Sequence, residues 1–137
     1  MKHWTYDDLL ALPEDRLRHE IIDGKHVTTP TPWTKHQVVV GNLIGYLGKY
    51  LQQHPIGEVL MYCDVIFAPD NVAVPDVFYI SEARSSIVTE RNIQGTPDLI
   101  AEVTSDVTRY CDEIQSRRST SGLASLNIGL LILTPTR

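Results

Sequence analysis

The chain has 137 residues, 42% of them apolar and 21% charged, with eight glycines and eight prolines. That is the composition of one globular domain with a single core, and it excludes a disordered, fibrous or multidomain chain. The net charge of -5 argues against a sequence-blind nucleic-acid binder, whose affinity comes from clustered Lys and Arg, yet leaves room for a local basic groove.

The N-terminus "MKHWTYDDLLALPEDR" lacks the apolar core of a signal peptide, and no apolar run reaches membrane-spanning length. The expected setting is soluble and cytoplasmic, with no membrane partner. Cys63 and Cys111 have neither C-x-x-C nor Cys/His ligand spacing and are expected to be reduced packing residues.

Thr5 is a candidate cap for a short helix with Asp7 and Asp8 in its first turn and Leu9, Leu10 and Leu12 on its apolar side, closed by Pro13. "RHEIIDGKHVTT" predicts two strands joined at Asp23-Gly24, a dipeptide suited to a tight hairpin turn. From Thr34, the residues Val39, Leu43, Tyr46, Leu47, Tyr50 and Leu51 recur at helical spacing as far as His54-Pro55 and predict the main helix. "GEVLMYCDVIFAPD" and "NVAVPDVFYI" predict two strands around the turn Ala68-Pro69-Asp70-Asn71. A short helix near Ser85 to Arg91, a strand in "PDLIAEVTS" and a polar helix from about Asp106 to Arg118 follow. The expected fold is α/β (mixed α+β), arranged around one sheet, with no repeat or linker.

Two acids stand out because their neighbours call for burial. Asp76 lies among Val72, Val74, Val77, Phe78 and Ile80, and Glu102 lies within "LIAEVTS". Burying a lone ionised carboxylate costs on the order of several kcal/mol unless a cation, a donor or a metal meets it. Two readings follow. Two strand-borne carboxylates can share a hard divalent cation such as Mg²⁺, or they can end strands and pair with Arg or backbone N-H groups.

"RHEIIDGKHV", "TKHQVVVGNL", "HPIGEV", "VAVPDVFYIS" and "GTPDLIAEVTS" together resemble the Uma2 family, a restriction-endonuclease-like group of the PD-(D/E)xK nuclease superfamily; the blocks run in family order from about Tyr6 to Asp112. The resemblance implies a restriction endonuclease-like central sheet flanked by helices. It also implies a metal-dependent endonuclease acting on DNA, in which Asp76 of the "PD" and Glu102 hold Mg²⁺ or Mn²⁺. Glu20 matches the family's acidic position on the first strand and either completes the site or forms a salt bridge. His36 matches the "HQ" at the start of the long helix, where it orients a phosphate or water or has no such duty. The superfamily's lysine usually follows the second acid by two residues, where Thr104 stands. In Uma2-like chains it commonly lies on the next helix, at the position of Ser116. Serine supplies no charge, and the adjacent Arg117 is turned about 100° around a helix from it. Asp112 matches a further acidic position and shares the face of Ser116. Double-strand cutters are often homodimers, since two sites must face two strands.

An alternative stands beside the enzyme: a catalytically inactive, truncated relative that binds nucleic acid or a partner, or has no function. The tail favours it. "STSGLASLNIGLLILTPTR" carries no charge until its last residue, whereas the family continues with a pattern resembling "LYERxGVxEYWxVDP". Codons allowed by Ser119 to Thr134 give "YERFGVSEYWVIDP" in the frame that begins at the third base of the first codon. The expected organisation is therefore a Uma2-like domain over residues 1-118 and a frameshifted tail over 119-137, leaving a sheet edge exposed. Sequencing the coding DNA checks this: the shifted frame is expected to spell that string, and codons that do not spell it refute the slip.

Overall fold

The computed structural model describes residues 1-103 and the backbone of Ile128–Leu131. In chain order these residues form α1 (Tyr6–Leu10), β1 (Arg18–Ile22), β2 (Lys25–Thr29), α2 (Thr34–Gln53), β3 (Gly57–Leu60), β4 (Val65–Ala68), β5 (Asn71–Ala73) and β6 (Val77–Ser81). A 3-10 turn (Glu82–Ile87), β7 (Ile93–Gln94), β8 (Leu99–Val103) and β9 (Ile128–Leu131) complete the order. Among the described residues no helix is long and apolar enough to cross a membrane. The expected helix from Asp106 to Arg118, and with it Cys111, Asp112, Ser116 and Arg117, lies outside them.

α1 starts where the sequence places it. The Thr5 N-H donates to Asp8 Oδ2 at 2.9 Å, joining the helix start to its own first turn. The helix stops at Leu10, because Pro13 biases Leu12 away from helical backbone. The β1-β2 hairpin turns on Asp23 and Gly24, with φ of 48° and 74°, both in the left-handed region that primed hairpin turns require. α2 runs the predicted length and ends at His54, just before Pro55.

The strands depart from expectation in an instructive way. "GEVLMYCDVIFAPD" is split into β3 and β4 across a bend in which Tyr62 takes φ 53°. "NVAVPDVFYI" is split into β5 and β6 across Val74-Pro75-Asp76. Pro75 has no N-H for a ladder and restricts the residue before it, so pairing lapses there. The sheet expected as one is therefore two, ordered β2-β1-β5-β4-β7 and β3-β6-β8-β9, and each split strand passes from one to the other. The short helix expected near Ser85 to Arg91 is a 3-10 turn that begins earlier, at Glu82, and β7 was not foreseen. β9 lies within the segment read as an aberrant tail. It pairs antiparallel with β8, along the edge that a lost strand would have left open.

Two apolar layers follow from this topology. Val65 and Ile93 of the five-stranded sheet pack with Phe78, Ile80 and Ile100 of the four-stranded one. Val77, Ala101 and Val103 pack on the opposite face against Val40 of α2, with Leu43, Ile44 and Leu47 at the margin. β6 is thus buried on both faces, which explains its nearly continuous apolar sequence. Cys63 packs beside the first layer, and burial raises its thiol above the ordinary value, as befits a packing residue.

The N-terminal arm ties the hairpin turn to the β4-β5 turn. Trp4 N-H donates to Gly24 O at 2.8 Å, Gly24 N-H to Asp70 O at 2.9 Å, and Tyr6 N-H to Pro69 O at 2.8 Å. A Cβ on Gly24 would stand 2.1 Å from His3 Nδ1, and φ is positive there. Gly24→Ala is therefore expected to destabilise the fold by roughly 1-3 kcal/mol, seen as a thermal midpoint lower by several degrees; an unchanged midpoint would show that the arm is not anchored at this turn.

Candidate active site

The site forms where the chain leaves the five-stranded sheet. Beyond β5 the backbone of Val74 and Asp76 has no ladder partner, and carboxylates take its place. Val74 N-H donates to Glu20 Oε1 at 2.8 Å, and Asp76 N-H points to Glu102 Oε2 at 3.4 Å. Asp76 in turn accepts the Val103 N-H on Oδ2 at 2.8 Å, next to Glu102 in β8. Glu20 of β1, Asp76 of the crossing and Glu102 of β8 are thereby brought together.

An arginine and a histidine face the same acids. Arg18 Nη1 donates to Asp76 Oδ1 and to Val74 O, both at 3.3 Å, and its Nε lies 3.7 Å from Glu20 Oε2. His36, in the first turn of α2, places Nε2 at 3.1 Å from Asp76 Oδ2. Its Nδ1 is buried with no hydrogen-bond partner among the described residues. If Nε2 carries the ring proton, a neutral imidazole can make the bond to Asp76.

The side chains of Glu20 and Asp76 are 2% and 6% exposed, a burial that acids tolerate only when partnered. Glu102 is half-buried as a residue, yet its carboxyl is held well above the ordinary carboxylate range. Desolvation is the main cause, followed by the charge of Asp76, a hydrogen bond with Asp76 and the charge of Glu20, while Arg18 pulls the other way.

Both readings of the sequence have a counterpart here. Asp76 does accept an arginine and a backbone N-H, yet it also lies against a second carboxylate that its neighbours do not neutralise. The donor set fits a hard divalent cation of the Mg²⁺ kind, which takes one or two carboxylates and leaves the other positions to water and phosphate. It is a pair rather than a cage, because Glu20 already serves Val74 and Arg18. Among the described residues no group of three His, Cys, Asp or Glu is placed to hold a metal. A cleft of about 250 Å³ opens beside Arg18, between Leu9, Leu17, Tyr62 and Val74, and includes none of the three acids.

Arg18 went unnoticed in the sequence, although a signal was there. It stands two residues before Glu20 on a predicted strand, so alternation places the two on one face. Asp112, Ser116 and Arg117 lie outside the described residues.

On a mixed α+β fold, two carboxylates thus meet at a sheet crossing, a donor pair that suits a hard divalent cation. The family is more specific. The Uma2 family model, described as "Putative restriction endonuclease", matches residues 6-118, and the chain belongs to that family. None of the curated proteins matches it. Among solved structures, a crystal structure described as a "putative nuclease belonging to DUF820 from Anabaena variabilis" shares the fold, with a TM-score of 0.66 and 22% identity over 82% of this chain. The match spans 64% of that structure's own chain.

The raised carboxyl of Glu102 gives a signed expectation. A folded-state pKa above the unfolded one means that the native state binds the extra proton, so the contribution of Glu102 to stability is full below about pH 4.5 and is lost as pH rises. Glu102→Gln removes that slope. In metal-free protein at neutral pH it is expected to raise the thermal midpoint by a few degrees, the effect of about 1 kcal/mol, with the gain vanishing near pH 4. A melt series over pH checks this, and a midpoint lowered at neutral pH contradicts it.

Proposed function

We propose that this protein is an endonuclease that hydrolyses phosphodiester bonds of DNA with Mg²⁺ or Mn²⁺ held by Asp76 and Glu102. The observation that carries the proposal is the contact between those two acids at the crossing, in a chain of the Uma2 family. When bound, such an ion supplies polarisation of the scissile phosphate and a more acidic water.

The chain's own residues do the rest. Val103 N-H and His36 fix Oδ2 of Asp76, which leaves Oδ1 as its more adaptable oxygen, shared with Arg18. Glu20 secures Val74 and hence the backbone that carries Asp76. His36 lies close enough to the pair to orient a phosphate or water, with its buried Nδ1 as the second nitrogen. Two-strand cleavage calls for a homodimer, and the working compartment is the cytoplasm.

The second reading is a relative that binds metal or DNA without cutting. It is favoured by Ser116, which stands at the position of the family's lysine. A plasmid-nicking assay with the full chain separates the two. Cleavage is expected with Mg²⁺ or Mn²⁺, and Asp76→Asn, which keeps the side-chain shape, is expected to lower the rate roughly a hundredfold or more. Metal uptake without nicking selects the second reading, and nicking that survives Asp76→Asn refutes the assignment of Asp76.

A further inference from the structure

Arg18 is the one arginine among the described residues that makes an ion pair with the acids of the site. Its side chain is only 15% exposed, and a guanidinium so withdrawn from water needs partners that repay its desolvation. It has them on two elements: Asp76 Oδ1 and Val74 O, each 3.3 Å from Nη1, and Glu20 Oε2 at 3.7 Å from Nε. Its field also reaches Glu102 and opposes the crowding that raises that carboxyl. Arginine presents a planar fork, so one side chain can tie β1 to the crossing while neutralising charge on both.

We infer that Arg18 is the resident counter-ion of the acid cluster, holding Asp76 and Glu20 together when no divalent cation is present and competing with such a cation for the same carboxylates. The competition rests on the metal pair proposed above; the counter-ion role rests on the contacts alone. Arg18 acts through Asp76 and Glu20 and is a positioning residue. Two cations close to one carboxylate repel each other, so an incoming metal ion must push the guanidinium aside or accept its repulsion. A residue needed only to shape the site would act in the opposite sense, since losing it would loosen the acids and weaken metal binding.

The test is Mn²⁺ titration of the full chain, following free Mn²⁺ by electron paramagnetic resonance. Arg18→Gln is expected to bind Mn²⁺ about three- to tenfold more tightly than the native chain, and Arg18→Lys, which keeps the charge, to bind within about twofold of it. Unchanged or weaker binding by Arg18→Gln overturns the competition. If neither chain takes up Mn²⁺ at millimolar concentration, the metal pair falls, and a second measurement judges the counter-ion by itself. In metal-free protein Arg18→Gln is expected to lower the thermal midpoint, and Glu102→Gln to raise it more in that background than in the native one. Strict additivity overturns the counter-ion role. Should Arg18→Gln fail to fold, Arg18→Gln/Glu20→Gln is expected to fold, because Gln still accepts the Val74 N-H while its charge no longer opposes Asp76; a double variant that also fails overturns the role.

Discussion

When a strand leaves one sheet for another, its backbone groups lose their ladder and need other partners, since an unpaired buried N-H costs about 1-3 kcal/mol. Here that exchange occurs at Val74-Pro75-Asp76, and the partners are carboxylates. Glu20 takes the Val74 N-H, Glu102 faces the Asp76 N-H, and Asp76 takes the Val103 N-H. The same three contacts close the crossing and assemble the acids. Structure and candidate chemistry therefore share one origin, which is why a proline can sit in the middle of an otherwise apolar strand.

Gathering acids has an electrostatic consequence. The crossing brings Asp76, Glu20 and Glu102 together in a poorly hydrated place, and the Glu102 carboxyl is pushed up as a result. Arg18 answers part of that charge, and His36 adds a hydrogen-bond contact to Asp76. The remainder stays on Glu102, whose raised carboxyl records it.

Much of this was legible in the sequence, for identifiable reasons. Asp23-Gly24 announced the hairpin because few other dipeptides accept two positive φ angles. The helical spacing from Val39 to Leu51 announced α2, whereas the break at Val74-Pro75-Asp76 was missed because "NVAVPDVFYI" alternates like one strand. The division into two sheets was not legible. Alternation registers that a segment is extended but not which sheet it joins, and the bend at Tyr62 adopts a positive φ that nothing local demands. Arg18 was missed because a charged residue at a strand start reads as solvated; only the fold shows it turned toward Asp76 and Glu20. Glu20 carried two readings in the sequence, and its bond to Val74 with its proximity to Arg18 gives it a structural duty and a salt-bridge partner beside Asp76.

The central claim is that the crossing builds a cation site from Asp76 and Glu102. Anomalous diffraction from crystals soaked in Mn²⁺ tests it most directly. The account predicts a manganese peak within coordination distance of both carboxylates, with Arg18 shifted away from Asp76. A peak elsewhere, or one bound by Asp76 without Glu102, would contradict it.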